Sequence, residues 1–240
     1  MNLPKINSPI YDLVLPINKK KVRFRPFSVK EQKILLMSIE TDEKGFSEEN
    51  LKQIIRNCCL EKDLDIDSLS TIDIEYFFLH LRARSVGEIV ELRYRCENIV
   101  EEQRCGNSMK MDLNLLDIGL SKSDFQDTIK LTQSVGIKMK LPDYSTVSKE
   151  NEGKSATKVA FDLIVSCIEY IYDEDKIYNA KEHKKEELEQ FIESLTLDQF
   201  KLIENFFQNI PKLQKKMKVK CSKCGFEHEI KIEGLENFLG

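Results

Sequence analysis

The chain has 240 residues, of which 41% are hydrophobic and 32% are charged, and its formal net charge is −4. This composition is that of a soluble protein with one large domain or two small ones, and the acidic balance disfavours nucleic acid as a partner unless a local basic patch exists. No apolar run approaches the roughly 20 residues of a membrane span, and the N-terminus lacks the apolar region of a signal peptide. We therefore expect a reducing cytoplasm, where seven cysteines favour metal ligands or free thiols over disulfides.

The first part of the chain is predicted to be an extended arm followed by a strand and a helix. Residues 1–20 contain three prolines and little periodicity, which favours an arm that is ordered only where it packs on something. Residues 22–25 alternate between apolar and charged side chains, so they predict a strand. Ser28 and Glu31 have the spacing of a capping box and predict the start of a helix.

Two more helices are predicted before residue 87. One begins at Ser47, and its apolar residues recur at the spacing of a single helical face: Leu51, Ile54, Ile55 and Cys58. Cys58 is therefore interpreted as a core residue. The other helix is capped by Ser70 and is expected to run through Arg84.

After Gly87 the spacing of the apolar residues changes from a helical period to a period of two, which is typical of strands. Residues 90–94 alternate and lead into Cys96, and residues 109–113 alternate again after Cys105 and Gly106. One or two further strands are predicted within 127–141. This is the first strand block.

A second helical region follows a polar stretch, 143–154, that is predicted to be a loop. A helix is expected from about Ser155 to Tyr172. The acidic stretch 173–175 is interpreted as a loop, and the charged run 181–189 as a solvated helix face. Thr196 begins another capping box, with a helix that stops near Pro211.

The second strand block lies near the C-terminus, around Cys221 and Cys224, and a short apolar tail follows it. The predicted class is α+β, with helical segments alternating with two antiparallel strand blocks that a zinc-ribbon-like four-cysteine site would join. The predicted segments are an extended arm, a strand with helices, a β region with the first cysteine hairpin, a helical region, and the second cysteine hairpin with the tail: 1–20, 21–86, 87–142, 155–211 and 212–240.

Four cysteines are the predicted metal ligands. Both strand blocks have the order strand, Cys, turn, Cys-Gly, strand, and the four residues are Cys96, Cys105, Cys221 and Cys224. Four thiolates can complete the tetrahedral coordination of one structural zinc ion, which leaves no open position for a substrate. Such a site requires the two strand blocks to meet.

Several alternatives stay open at these residues. Cys221 and Cys224 could be inert thiols of a hairpin or a redox pair, although a redox pair normally begins a helix. The eight residues between Cys96 and Cys105 indicate a bulged knuckle that need not present both sulfurs. His228 could complete a site with Cys221 and Cys224, or the copies of an oligomer could share the ion. His228 could also simply point outward from its strand.

The other candidate groups do not indicate an enzyme. His80 lies in an apolar helix and is interpreted as a core residue, whereas His183 lies in a charged run and is interpreted as solvated. Residues 153–155 (GKS) resemble the end of a phosphate-binding loop, but Ser148 stands where that motif needs glycine. No arrangement of the three histidines suggests a catalytic triad.

Four stretches resemble a known family, the baseplate hub proteins of T-even-type contractile-tailed bacteriophages. Two are fairly specific, residues 22–37 (VRFRPFSVKEQKILLM) and 73–88 (DIEYFFLHLRARSVGE). The others are residues 195–211 and the cysteine-containing end, 221–240. Together they span most of the chain in order, and the long first knuckle is the one departure from a compact zinc ribbon.

The resemblance implies a non-enzymatic hub subunit or assembly chaperone, with other tail and baseplate hub proteins as partners. It would act in the host cytoplasm during assembly, or in the tail baseplate of the virion. The alternative is a zinc-ribbon regulator that binds nucleic acid through the basic residues 19–25 or 212–223, with an affinity that falls steeply with salt. The oligomeric state does not follow from the sequence.

Overall fold

A computed structural model describes residues 6–41, 48–122, 125–142 and 155–239. The α+β class is confirmed, and every strand pair in these ranges is antiparallel. Its α-helices are α1 Val29–Thr41, α2 Glu48–Cys58, α3 Thr71–Val86, α4 Ala156–Ser166, α5 Lys185–Glu193, α6 Leu197–Gln208 and α7 Leu235–Leu239. None of the helices in the described ranges has the length and apolar character needed to cross a membrane.

The strands form several small sheets rather than one large one. Their bounds are β1 Tyr11–Val14, β2 Lys21–Phe24, β3 Ile89–Arg95, β4 Ile99–Val100, β5 Gln103–Arg104, β6 Ser108–Asn114, β7 Gly119–Leu120, β8 Thr128–Lys130, β9 Gly136–Met139, β10 Ile168–Tyr172, β11 Ile177–Asn179, β12 Leu213–Lys220 and β13 Glu227–Glu233. β1 pairs with β2, β3 with β6, and β4 with β5, while the larger sheets have the orders β13-β12-β7 and β11-β10-β9-β8.

The chain divides into two compact units. Unit 1 comprises Met1–Ser121 and Lys212–Gly240, and unit 2 comprises Lys122–Pro211. Within unit 1, Ser121 and Lys212 are joined by two hydrogen bonds, from Ser121 N to Lys212 O (2.8 Å) and from Lys212 N to Ser121 Oγ (3.0 Å). Unit 2 is thus an insertion that leaves and re-enters unit 1 at adjacent points. The five predicted segments describe helix and strand content rather than compact units, and they stay a prediction.

The core of unit 1 lies between its first three helices, the β1–β2 hairpin and the bases of the later hairpins. The predicted buried face of α2 is confirmed, since its four apolar residues are at most 2% exposed. Phe24 of β2 meets Phe77 of α3 edge to face, with ring centroids 5.4 Å apart. Phe238 of α7 is fully buried in the same core, so the apolar tail is part of unit 1.

The arm predicted for residues 1–20 contains an ordered hairpin strand, β1, that the sequence pattern did not indicate. Its turn is fixed by Asp73, a buried residue of α3 whose carboxylate accepts hydrogen bonds from the backbone N–H groups of Ile17 (2.9 Å) and Asn18 (3.0 Å). The predicted cap of α3 is confirmed, because Ser70 Oγ accepts a hydrogen bond from Asp73 N at 3.1 Å. One residue therefore joins the helix start to the hairpin.

The core of unit 2 is formed by α4, α5 and α6 against the sheet β11-β10-β9-β8. The prediction of a helix to residue 172 is wrong, because the helix ends at Ser166 and residues 168–172 form β10. Ile168 and Ile171 are both buried since the register of β10 against β9 shifts between Ile168 and Tyr170. The shift gives the strand a three-residue spacing that imitates a helix, although Ile and Tyr favour strands.

Some sequence predictions concern residues outside the described ranges. They are the loop at 143–154, including most of the phosphate-loop-like residues, and the helix start at Ser47.

The capping box at Thr196 is confirmed, with mutual hydrogen bonds between Thr196 and Gln199. At Ser28 one half of the predicted box is seen, because the backbone N–H donates to Glu31 Oε2 at 2.8 Å, while the Ser28 hydroxyl donates to the same oxygen at 2.6 Å.

Replacement of Asp73 tests the connection between α3 and the hairpin. In Asp73→Ala the N–H groups of Ile17 and Asn18 lose their acceptor, and we expect the free energy of unfolding to fall by about 1–3 kcal/mol. Urea denaturation followed by circular dichroism measures this change. Asp12→Ala is the matched control, because its carboxylate is 58% exposed beside Lys21 and should contribute less than about 1 kcal/mol. Equal effects of the two substitutions would contradict the role of Asp73.

Glu31 gives a pH-dependent prediction. Burial would raise the pKa of this carboxyl, but hydrogen bonds from Arg25 and Ser28 outweigh it and lower the pKa from 4.5 to about 2. Its contribution to stability is therefore complete above pH 4.5 and is lost as the pH falls toward 2. We expect Glu31→Gln to be less stable than the wild type at pH 7, with the difference shrinking below pH 4.5. The measurement is the urea midpoint of wild type and Glu31→Gln at a series of pH values between 2 and 7. Glu91→Gln, at an exposed carboxylate, is the control. A stability difference that does not change with pH would contradict the prediction.

Candidate metal centre

The first cysteine hairpin is built on the β3–β6 ladder. The ladder runs from Ile89 opposite Asn114 to Arg95 opposite Ser108. Beyond it, Cys96 N donates to Asn107 O (2.8 Å) and Gly106 N donates to Cys96 O (3.0 Å). Gly106 has φ +62°, a conformation that glycine adopts without steric cost. These bonds form a tight knuckle that holds Cys96 and Cys105 at the tip.

The eight residues between Cys96 and Cys105 form a small hairpin of their own rather than the predicted bulge. β4 and β5 pair, and the turn between them has positive φ at both Glu101 and Glu102, as a tight two-residue hairpin turn requires. Cys105 N donates to Asn98 O at 2.8 Å, which closes the base of this small hairpin. The extra residues therefore extend outward and leave the knuckle intact.

The second cysteine hairpin is built on the β12–β13 ladder. The pairing runs from Gln214 opposite Glu233 to Lys220 opposite Glu227. Cys221 N donates to Phe226 O (2.8 Å), and Gly225 N donates to Cys221 O (2.9 Å) with φ +74° at Gly225. The strand flanks match the hairpin expected from the sequence, and Cys221 and Cys224 project from its tip.

The structure brings all four predicted ligands together. The sulfur atoms of Cys96, Cys105, Cys221 and Cys224 all lie within 4.8 Å of one another. Across the two hairpins, Cys96 Sγ is 3.7 Å from Cys224 Sγ, and Cys105 Sγ is 3.8 Å from Cys221 Sγ. Cys96 and Cys221 are 1% and 2% exposed. The two strand blocks therefore meet at their tips, while the presence of zinc stays a prediction.

Two asparagines that the sequence analysis missed donate hydrogen bonds to these sulfurs. Asn98 Nδ2 lies 3.6 Å from Cys224 Sγ, and Asn107 Nδ2 lies 3.5 Å from Cys221 Sγ. Both asparagines belong to the first hairpin and both sulfurs to the second. The signal was present as a repeat, because each cysteine of the first hairpin is followed two positions later by asparagine.

His228 does not point outward, so that interpretation is wrong. It is 8% exposed, and its Nε2 lies 3.1 Å from Cys96 Sγ. Tyr94 and Phe226 pack on its ring edge to face, with centroids 5.2 and 4.8 Å away. In the β12–β13 register the inward face of β13 includes His228 and Ile232, and this places the ring beside the sulfurs.

Comparison with known proteins places the chain in a family. The model of the T4 bacteriophage base plate protein family matches residues 8–240. The chain belongs to this family. It is also 25% identical over 230 residues to the baseplate hub assembly protein gp26 of Enterobacteria phage T4, covering 95% of this chain and 97% of that protein. No solved structure gives a significant match. The resemblance recognised in the sequence is confirmed.

Hydrogen bonding and burial act in opposite directions on the thiols of this base plate family member. The backbone N–H of Cys224 donates to Cys221 Sγ and is the main cause that lowers the pKa of Cys221 to about 6. Backbone donation from Phe226 lowers the pKa of Cys224. Burial raises the pKa of Cys96 to about 12. Hydrogen bonding in the second hairpin therefore favours thiolates, whereas burial opposes ionisation of Cys96 in the first.

Among the described residues, the other cysteines and histidines are not members of the converging group of four. Burial raises the pKa of Cys58 to about 12, in agreement with a core residue. Burial lowers the pKa of His80 to about 4, and its ring centroid lies 4.4 Å from that of Tyr76. The residue is half-buried and its Nε2 has no hydrogen-bond partner in the described part of the chain, so it is not the satisfied core histidine that the sequence predicts. His183 is 35% exposed beside Glu187, as expected of a solvated residue.

The knuckle geometry is tested at Gly225. A Cβ at this position would meet nothing within 4 Å. A substitution by alanine therefore costs free energy only because the residue must stay in the left-handed backbone conformation. We expect Gly225→Ala to lower the free energy of unfolding by about 1–2 kcal/mol, as measured by urea denaturation. Gly119→Ala is the matched control, because that site is equally open and has no left-handed φ. If Gly225→Ala left the free energy of unfolding unchanged, the left-handed backbone conformation of the knuckle would be contradicted.

Proposed function

We propose that this protein is a non-enzymatic assembly factor of the phage baseplate hub and that it acts through contacts with other tail proteins. The observation that carries the proposal is the extent of the family match, which runs from residue 8 to residue 240 and includes both compact units. The relative from phage T4, named a hub assembly protein, is covered almost end to end as well. A shared zinc-ribbon-like module alone would have matched only the hairpins.

The sulfur cluster supports a structural rather than a catalytic role. Among the described residues, these four cysteines are the potential metal ligands that lie close enough together to hold one ion. Its four sulfurs face one another, and a tetrahedral ion held by all four would have no position for substrate or water. Chemistry on a bound substrate would require such a position.

The edge of β1 is a surface suited to a protein partner. The far edge of β2 is already paired, through Arg25 N to Cys58 O and Leu60 N to Arg23 O. Among the described strands, β1 pairs with β2 alone, so its outer edge offers backbone groups to another chain. Ile10 and Val14, at 60% and 55% exposure, supply apolar side chains along this segment. Such a surface favours addition of a strand from a tail protein.

The basic stretch near the C-terminus does not form a positive stripe, which weighs against a nucleic-acid-binding regulator. Lys216, Lys218 and Lys220 occupy the exposed face of β12. In the register, Lys218 lies opposite Glu229 and Lys220 lies opposite Glu227, whereas Lys216 lies opposite Lys231, which itself pairs with Glu233. Opposite charges on neighbouring strands neutralise each other and leave little field to attract phosphates.

The proposal is tested in phage that lack the gene for this protein. We expect infected cells to accumulate tail intermediates without complete hubs, because hub assembly would lack one of its contacts. Gradient sedimentation and electron microscopy of the lysates measure this, with a plasmid copy of the wild-type gene as the control. Normal numbers of complete baseplates without the gene would overturn the proposal. Mass spectrometry of purified virions then separates a resident hub subunit from a chaperone that acts in the host cytoplasm and leaves.

The β1 edge is tested with the same complementation. Ile10→Lys/Val14→Lys should leave the protein folded but reduce its co-purification with tail proteins, because charged edge residues oppose strand addition. Ile177→Lys is the matched control, since Ile177 is an exposed apolar residue (56%) at the start of an edge strand in unit 2. Unchanged co-purification of the double variant would exclude this edge as the contact.

A further inference from the structure

The tips of the two cysteine hairpins lack a hydrophobic core of ordinary size. At the base, the hairpins share the main core of unit 1 through Val90, Leu113, Leu213 and Ile232. Farther out, an open groove of about 600 Å³ lies between them, lined in part by Leu92, Tyr94, Met111 and Ile230. At the tips, the buried apolar residues form a separate small cluster of Cys96, Met109 and Cys221. Apolar burial is therefore small where the sulfurs lie.

Two of the six sulfur separations match those of tetrahedral zinc ligands. Four sulfurs placed about 2.3 Å from a central zinc ion lie about 3.8 Å from one another. The measured cross-hairpin separations are 3.7 Å for Cys96 and Cys224 and 3.8 Å for Cys105 and Cys221. All six separations among the four atoms are within 4.8 Å. Each hairpin supplies two of the four corners.

The surroundings of the sulfurs suit thiolates that bind a cation. Asn98 and Asn107 direct amide N–H groups at Cys224 and Cys221, and neither amide needs a protonated sulfur as its partner. Hydrogen-bond donors of this kind orient metal ligands and are part of most metal sites. Both asparagines reach across from the opposite hairpin, so they position the ligands relative to one another.

We propose that Cys96, Cys105, Cys221 and Cys224 together bind one Zn²⁺ ion, which fastens the two hairpin tips of unit 1. His228 is not a ligand in this proposal, because its ring nitrogens are not among the four ligand atoms that lie close to one another. We assign it a positioning role instead, with Nε2–H donating a hydrogen bond to Cys96 Sγ at 3.1 Å. Zinc fits a closed site of four sulfurs. This proposal goes beyond the function proposed above and does not depend on it.

The first test is the metal content of the intact chain purified without chelators. Elemental mass spectrometry should give one zinc per chain, which Cys96→Ser and Cys221→Ser, one from each hairpin, both lose. Cys59→Ser is the matched control, because Cys59 is a half-buried cysteine outside the cluster, and it should keep the ion. Absence of metal, iron in place of zinc, or full zinc retention in either cluster variant would overturn the proposal.

A second set of measurements separates loss of ligands from loss of folding. The wild-type chain loaded with Co²⁺ should show the intense visible bands of tetrahedral thiolate coordination, and a pale spectrum of six-coordinate cobalt would overturn the site. Asn98→Ala/Asn107→Ala should keep the fold and weaken zinc affinity by about 10–100-fold; unchanged affinity would contradict the positioning role. His228→Gln should still bind one zinc, and its loss would overturn the four-sulfur ligand set.

Discussion

The meeting of two hairpin tips is the constraint on which the rest of unit 1 depends. Cys96 and Cys224 are 128 positions apart in the chain, yet their sulfurs are 3.7 Å apart. Between these hairpins the chain forms the whole of unit 2 and returns beside the point where it left, at Ser121 and Lys212. The bases of the hairpins are held by apolar packing, whereas their tips have few apolar residues and many polar contacts to sulfur. The two hairpins of unit 1 are therefore held together by apolar packing at their bases and by contacts among polar groups and sulfurs at their tips.

Much of this architecture could be predicted from local patterns. Helical spacing identified the buried face of α2, capping residues identified the starts of α3 and α6, and alternation identified β3, β6 and the final hairpin. The cysteine layout also led to the hypothesis that distant strand blocks meet, because two hairpins with two cysteines each can supply four ligands to one ion, although other arrangements stayed open. The helix faces, caps and alternating strands depend on residues close together in the sequence, so a local pattern is enough to predict them.

The features that could not be predicted depend on contacts distant in sequence. β1 is ordered by the carboxylate of Asp73, which lies more than fifty residues away. β10 was mistaken for a helix because a shift in register gave its buried residues a helical spacing. The inward orientation of His228 follows from the register of β13 against β12, and the role of Asn98 becomes visible only when the second hairpin is present. The insertion of unit 2 has no signal in composition.

The family relation and the metal proposal address different levels of the molecule. Membership in the T4 bacteriophage base plate protein family covers both units and supports a role in the baseplate, whereas the sulfur cluster concerns how unit 1 is held together. A fixed pair of hairpins would give the protein a stable body from which exposed surfaces such as the β1 edge could engage other tail proteins. The most direct test of this account is X-ray absorption spectroscopy at the zinc edge of the purified full-length chain. The account predicts a single shell of four sulfurs at about 2.3 Å, and a nitrogen or oxygen shell at about 2.0–2.1 Å with three or fewer sulfurs would contradict it.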